Sequence, residues 1–217
     1  MLDGAASQLR SPLGEHFARP SLPDERERAG IRVAEWAHLG CLVLRGRADD
    51  EDFHAAVQGV LGAGLPRRPS TFVAAAHSVA LWISPDEWWL LLPRERRDAT
   101  LAALSSTTAG LFAQVLDNSG SLACLRLAGP QHVTLLRHLS PYDFDSLAVG
   151  RCVSTVFPKA GVTVLRGDDD GVLLLFRRSF ADWIWRLIAR SAQPYGLALC
   201  APQDLPAPGF AALQAGS

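Results

Sequence analysis

Leu39-Gly-Cys-Leu-Val-Leu-Arg-Gly46 and Leu122-Ala-Cys-Leu-Arg-Leu-Ala-Gly129 are two copies of one pattern, a short apolar strand closed by glycine. They stand 122 − 39 = 83 residues apart, and the same spacing carries Leu90-Leu91-Leu92 onto Leu173-Leu174-Leu175, Leu101 onto Ile184 and Leu104 onto Leu187. A register kept through strand, hairpin and helix marks an internal duplication rather than chance likeness of one strand.

Working outward, each copy predicts strand, helix, hairpin, helix. In the first, a strand at 41–44 runs into a helix that Asp49 or Asp50 can cap, with Phe53, Val57, Val60 and Leu61 at helical spacing. In the second, the strand at 124–127 is followed by Pro130 in a first helical turn and an apolar stripe of Val133, Leu136 and Leu139. Hairpins are predicted to turn at Ser84-Pro-Asp-Glu87 and at 167–171. A closing helix carries Phe180, Ile184, Leu187 and Ile188, with Ser179 as its predicted N-cap. The expected fold is α+β, with mostly antiparallel sheets covered by helices and two halves, about 31–115 and 116–200, related by a pseudo-twofold. Residues 1–30 and the Pro/Ala-rich stretch 201–217 show no hydrophobic period. They are expected to be an extended N-terminal arm and a flexible C-terminal tail.

Composition narrows the function classes. Of 217 residues, 48% are hydrophobic and 20% charged, and the formal net charge of −1 provides no field for nucleic acid or an anionic membrane. Lys159 is the only lysine. Neither a secretory signal nor a membrane-spanning run is visible, which leads to the expectation of a soluble, cytoplasmic protein. Cys41, Cys124, Cys152 and Cys200 form no CxxC pair and are expected to be reduced, buried thiols.

Chemistry-bearing motifs are scarce in the sequence. None of the six histidines has HxxxH or HExxH spacing, so no metal site is predicted. Asp168-Asp-Asp170 lacks the alternation of a calcium loop and reads as a solvated turn. No glycine-rich phosphate cradle or nucleophile elbow occurs. Catalytic, cofactor-binding and metal sites are therefore all expected to be absent. Tryptophan is the unusual element. Trp88 and Trp89 are adjacent on a strand and point to opposite faces, and Trp183 and Trp185 lie about 200° apart on a helix. One of each pair is expected to face a second interface, which makes Trp88, Trp89, Trp183 and Trp185 the candidates for partner contact. The other possibility is a second layer of the same domain.

Four segments in order, Ser11-Pro-Leu13, Leu39–Gly46 as quoted, Ser84-Pro-Asp-Glu-Trp-Trp-Leu-Leu-Leu92 and Arg178-Ser-Phe-Ala-Asp-Trp-Ile-Trp185, resemble the gamma subunits of heterotetrameric sarcosine oxidases over about residues 9–199. Wider relatives are the folate-binding domains of glycine-cleavage aminomethyltransferases, which Val115-Leu-Asp-Asn-Ser119, Leu127-Ala-Gly-Pro130 and Pro141-Tyr-Asp-Phe144 also resemble. Those transferases carry Gly-Gly-x-x-Asp-Asp, and the comparable stretch here is Ala160-Gly-Val-Thr-Val-Leu165, without either acid. The resemblance implies a non-catalytic subunit partnered by alpha, beta and delta chains, with FAD, FMN, NAD and tetrahydrofolate held by the other subunits. Two alternatives stay open. A stand-alone folate-dependent enzyme would draw its acid from Asp117 or Asp143, and a folate-fold iron–sulfur assembly factor would use Cys152.

Overall fold

The computed structural model describes residues 11–214. Two short helices, α1 (Gly14–Phe17) and α2 (Pro23–Arg28), precede β1 (Ile31–Glu35), β2 (Leu39–Arg45) and α3 (Glu51–Leu61). Then come β3 (Phe72–Ala74), β4 (Val79–Ser84), β5 (Glu87–Pro93), α4 (Arg97–Thr107) and β6 (Gln114–Asp117). The second half supplies β7 (Leu122–Ala128), α5 (His132–Leu139), β8 (Arg151–Phe157), β9 (Ala160–Arg166), β10 (Gly171–Arg177), α6 (Ala181–Ala192) and β11 (Leu197–Leu199). The chain ends in 3-10 turns and α7 (Ala211–Gln214).

One sheet has the order β11-β1-β7-β10-β9-β8, the other β6-β2-β5-β4-β3. Except for the parallel pair β1–β11, neighbours run antiparallel. Alternation along the strands divides the apolar residues between two faces. Leu125, Leu127, Val164 and Leu174 meet Leu135, Leu136, Ile184 and Ile188 of α5 and α6 on the outer face of the first sheet. Leu42, Leu44 and Leu90 meet Phe53, Val57 and Leu104 of α3 and α4 on the outer face of the second. The inner faces pack on each other through Val79, Leu81, Leu91, Leu165, Leu173 and Leu175, and all four cysteines lie in this layer. The result is helix, sheet, sheet, helix.

The duplication is present in the topology, and it is more intertwined than two consecutive halves. β1 pairs with β7 of the second half, and β6 pairs with β2 of the first. Each half thus lends its first strand to the other's sheet, and a boundary at 115/116 cuts through β6. The spacing also drifts. Cys41 and Cys124 are 83 apart, yet they lie opposite Leu91 and Leu175, which are 84 apart. Leu91 therefore corresponds to Leu175, and by the same step of 84 Leu104 matches Ile188 rather than Leu187. Ahead of β2 and β7 the step is 82, because Trp36 donates to the Cys124 carbonyl as Asn118 donates to that of Cys41.

Local signals decide some boundaries. Asp50 caps α3 through Phe53 N–H at 3.0 Å. Gly129, at φ +106°, turns β7 toward α5 where a Cβ would come within 2.5 Å of the Gly30 carbonyl, so only glycine fits. Pro130 precedes α5, whose N-cap is Gln131. Ser179 sits in a 3-10 turn ahead of α6, and no side chain caps that helix.

Two segments differ from expectation. Of the predicted arm, residues 11–30 are held against the sheet: Leu13 is fully buried and Ser21 exchanges hydrogen bonds with Leu199. Of the predicted tail, residues 201–214 contribute Leu205, Ala207, Phe210 and Leu213 to the layer between the sheets. In each segment isolated apolar side chains, spaced without a period, reach the core from short turns. Residues 1–10 and 215–217 of those two expectations lie outside the described residues. No helix among the described residues is long and apolar enough to cross a membrane.

Candidate functional site

The pseudo-twofold brings equivalent residues of both halves together at one end of the inter-sheet layer. A cavity of about 40 Å³ is lined there by the pairs Cys41 and Cys124, Leu91 and Leu175, and Arg94 and Arg178, with Glu35, Trp36 and Ser119. Glu35 at the end of β1 and Asp117 at the end of β6 are equivalent under the step of 82, and each carboxylate is held by a serine. Ser11 Oγ donates to the Glu35 carboxylate. Ser119 Oγ lies 2.5 Å from Asp117 Oδ1, which also accepts the Ser119 amide at 2.9 Å.

The surroundings then separate the two acids. Burial pushes the Glu35 carboxyl above its ordinary value, against the Ser11 hydrogen bond and the charge of Arg178. At Asp117 burial acts upward too but is overcome by the Ser119 hydrogen bonds and the charges of Arg97 and Arg94, so its value falls below the usual range. A buried acid with a raised value favours the fold most when protonated. That contribution is complete below the free carboxyl's pH range and is lost as pH rises through the folded value. Glu35→Gln is therefore expected to flatten the stability profile from about pH 4.5 upward and to raise the melting temperature at neutral pH; thermal unfolding of both forms across that range is the check.

A volume of 40 Å³ accommodates water. Sites for drug-sized ligands occupy about 300–1,000 Å³, so neither folate nor a similarly sized cofactor enters here. The thiols in its wall are unreactive: burial pushes Cys41 up to about 12 and Cys124 further up. Cys152, the residue of the assembly-factor alternative, is buried and pushed up to about 11. No three His, Cys, Asp or Glu side chains among the described residues are grouped to hold a metal.

Nor are the acids of the transferase alternative brought together. Asp117 belongs to an edge strand of the second sheet, and its turn orders Ser119, whose Oγ accepts the Cys41 amide at 3.0 Å. Asp143 is exposed on the loop after α5, where it accepts from the Asp145 amide. At the positions of the missing acids, Val164 faces α5 and α6 while Leu165 lies between the sheets in the same apolar layer as Phe210 and Leu213.

The tryptophans divide differently from expectation. Trp88 is 1% exposed, packs on Phe53 and donates to the Pro66 carbonyl at 2.9 Å, while Trp89 faces the inter-sheet layer half-buried. Both faces of β5 are covered by the chain itself, so the second interface is internal. Trp185 is buried under Phe17 of α1. Trp88 and Trp185 are thus removed as partner contacts. Trp183 remains 42% exposed, with Lys159 Nζ 5.3 Å from its ring centre.

Sequence reasoning missed Glu35 and a buried ion pair. Arg126 is fully buried on the inner face of β7 and pairs with Asp168 at 2.7 Å, so Asp168 is no solvated turn residue. A lone arginine between leucines in an apolar strand was the available signal.

The model of the sarcosine oxidase gamma subunit family matches residues 45–193. The chain belongs to that family. Sarcosine oxidase subunit gamma of Corynebacterium sp. (strain U-96) is 30% identical over 186 residues, 82% of this chain and 87% of its own length. Among solved structures, a chain of the heterotetrameric sarcosine oxidase from Corynebacterium sp. U-96 superposes with a TM-score of 0.76 at 24% identity, covering 86% of this chain and 96% of the other. Glycine cleavage system aminomethyltransferase T from Bartonella henselae superposes at 0.59 with 14% identity, over 82% of this chain and 50% of its own. The gamma-subunit family therefore shares its duplicated α+β fold with aminomethyltransferases.

Proposed function

We propose that this chain is the gamma subunit of a cytoplasmic heterotetrameric sarcosine oxidase and that its role is assembly rather than chemistry. Family membership carries the reading. The complex oxidatively demethylates sarcosine to glycine. It passes the methyl carbon to tetrahydrofolate as 5,10-methylenetetrahydrofolate and reduces O2 to H2O2. FAD, FMN, NAD and tetrahydrofolate reside in the alpha, beta and delta partners. Two features of this chain support the division of labour. The cavity on the pseudo-twofold admits only water, and Val164 and Leu165 stand in apolar surroundings where catalytic relatives carry acids.

Purification through a tag on this chain tests the proposal. Co-expressed with genes for the three other subunits, it is expected to bring down yellow, flavin-containing material with sarcosine-dependent peroxide production. Expressed alone it is expected to be colourless. A chain that captures no flavoprotein under co-expression would overturn the reading.

A further inference from the structure

The two sheets correspond strand for strand except at one place. β6-β2-β5-β4-β3 repeats β1-β7-β10-β9-β8, and β11 has no counterpart. On the first sheet β11 lies parallel to β1, pairing Ile31 with Leu197 and Val33 with Leu199. Its leucines rest against the helix-side core, and Ile31, Val33 and Ala34 are all fully buried. The equivalent strand β6 has no strand beyond it among the described residues. Ala113 and Val115, the counterparts of Ile31 and Val33 under the step of 82, are only half-buried. Leu116, the counterpart of Ala34, is 46% exposed, and Phe112 just before the strand is 82% exposed.

The backbone is open in the same direction. Asn118 donates across the ladder to Cys41, so by alternation the N–H and C=O of Val115 point away from β2. At the end of the sheet where β2 stops and β6 begins lies an open depression of about 700 Å³ lined by Arg45, Arg47, Asp86, Leu111, Phe112 and Gln114. An unpaired edge with apolar side chains on it is a template for strand addition.

We infer that β6 receives an extended segment of another subunit as a parallel strand, in the place that β11 takes on the duplicate sheet. The other half of the molecule shows what covers such an edge: a short apolar–small–apolar segment like Leu197-Ala-Leu199. Its first and third side chains continue the α4 side of the core beside Ala113 and Val115, and its middle residue lies beside Gln114, as Ala198 lies beside Arg32. This inference rests on the gamma-subunit reading for the existence of partner subunits and adds the surface and the mode by which one of them docks.

The test uses the co-expressed complex. A photo-cross-linker replacing Phe112 is expected to join this chain to one extended segment of a partner subunit. Val115→Pro removes an N–H that β2 does not use, and recovery of the partners through this chain is expected to fall about tenfold. Where the unsubstituted chain captures its partners, a cross-link to a second copy of this chain, or none, overturns the inference and leaves the functional reading intact. Val115→Pro complexes recovered at the unsubstituted level do the same. If the unsubstituted chain captures no partner, the functional reading falls and the docking mode with it.

Discussion

Asp168→Ala is expected to lower the stability of the chain by about 3–5 kcal/mol, the cost of leaving a buried charge without its counter-ion. Arg126 is fully buried, and among the described residues Asp168 is its one hydrogen-bonded partner, at 2.7 Å from Nη2. Nε and Nη1 have no acceptor among the described residues, so little else offsets the guanidinium if the carboxylate is removed. Asp168 also accepts the Asp170 amide and so shapes the β9–β10 turn. The reverse truncation is less severe if the charge leaves with the side chain, because apolar volume can replace a buried ion pair. Arg126→Met combined with Asp168→Ala is therefore expected to recover most of the loss seen in Asp168→Ala alone. Denaturant unfolding of the single and double variants decides this, and a single variant within about 1 kcal/mol of the parent would mean that water reaches the arginine.

The pair also shows where sequence patterning stops. Period-two alternation and the repeated Leu-x-Cys-Leu-x-Leu make β2 and β7 legible, and the hairpins and flanking helices follow with them. Alternation also requires one face of β7 to hold Cys124, Arg126 and Ala128, but whether that face meets water or a second sheet is a tertiary fact. The exchange of β1 and β6 between halves is hidden for a related reason. Ile31-Arg-Val-Ala-Glu35 reads as a strand of unspecified partner, because pairing across 94 residues (Val33 to Leu127) leaves no local trace. A shift of one residue between copies likewise escapes a gapless comparison while moving Leu104 from a match with Leu187 to one with buried Ile188. Of the candidate site, the meeting of Glu35, Arg94, Ser119 and Arg178 depends on the pseudo-twofold and is announced by no local motif.

Removal of residues 201–217 is expected to abolish folding of the chain. Composition gives these residues the look of a free tail, but the side chains between the sheets say otherwise. Phe210 and Leu213 are fully buried and Leu205 nearly so, in the same layer as Leu165, Leu173 and Leu91. Phe210 lies 5.4 Å from Phe72 ring to ring, and the Leu213 carbonyl is 3.0 Å from His38 Nε2. Burial of a Leu or Phe contributes about 1.5–3 kcal/mol, so three such side chains reach the whole net stability of a typical domain, about 5–15 kcal/mol. Phe210→Ala, the milder version, is expected to cost about 3–5 kcal/mol through the cavity it leaves. Backbone fit is tested separately at Gly209, where a Cβ would stand 1.9 Å from the Gly167 carbonyl, so Gly209→Ala must push the segment off the sheet. Circular dichroism and denaturant unfolding should rank the three as truncation worst, with Phe210→Ala and Gly209→Ala folded but weakened. A truncated chain that melts like the parent would show that the two sheets close on each other without the segment between them.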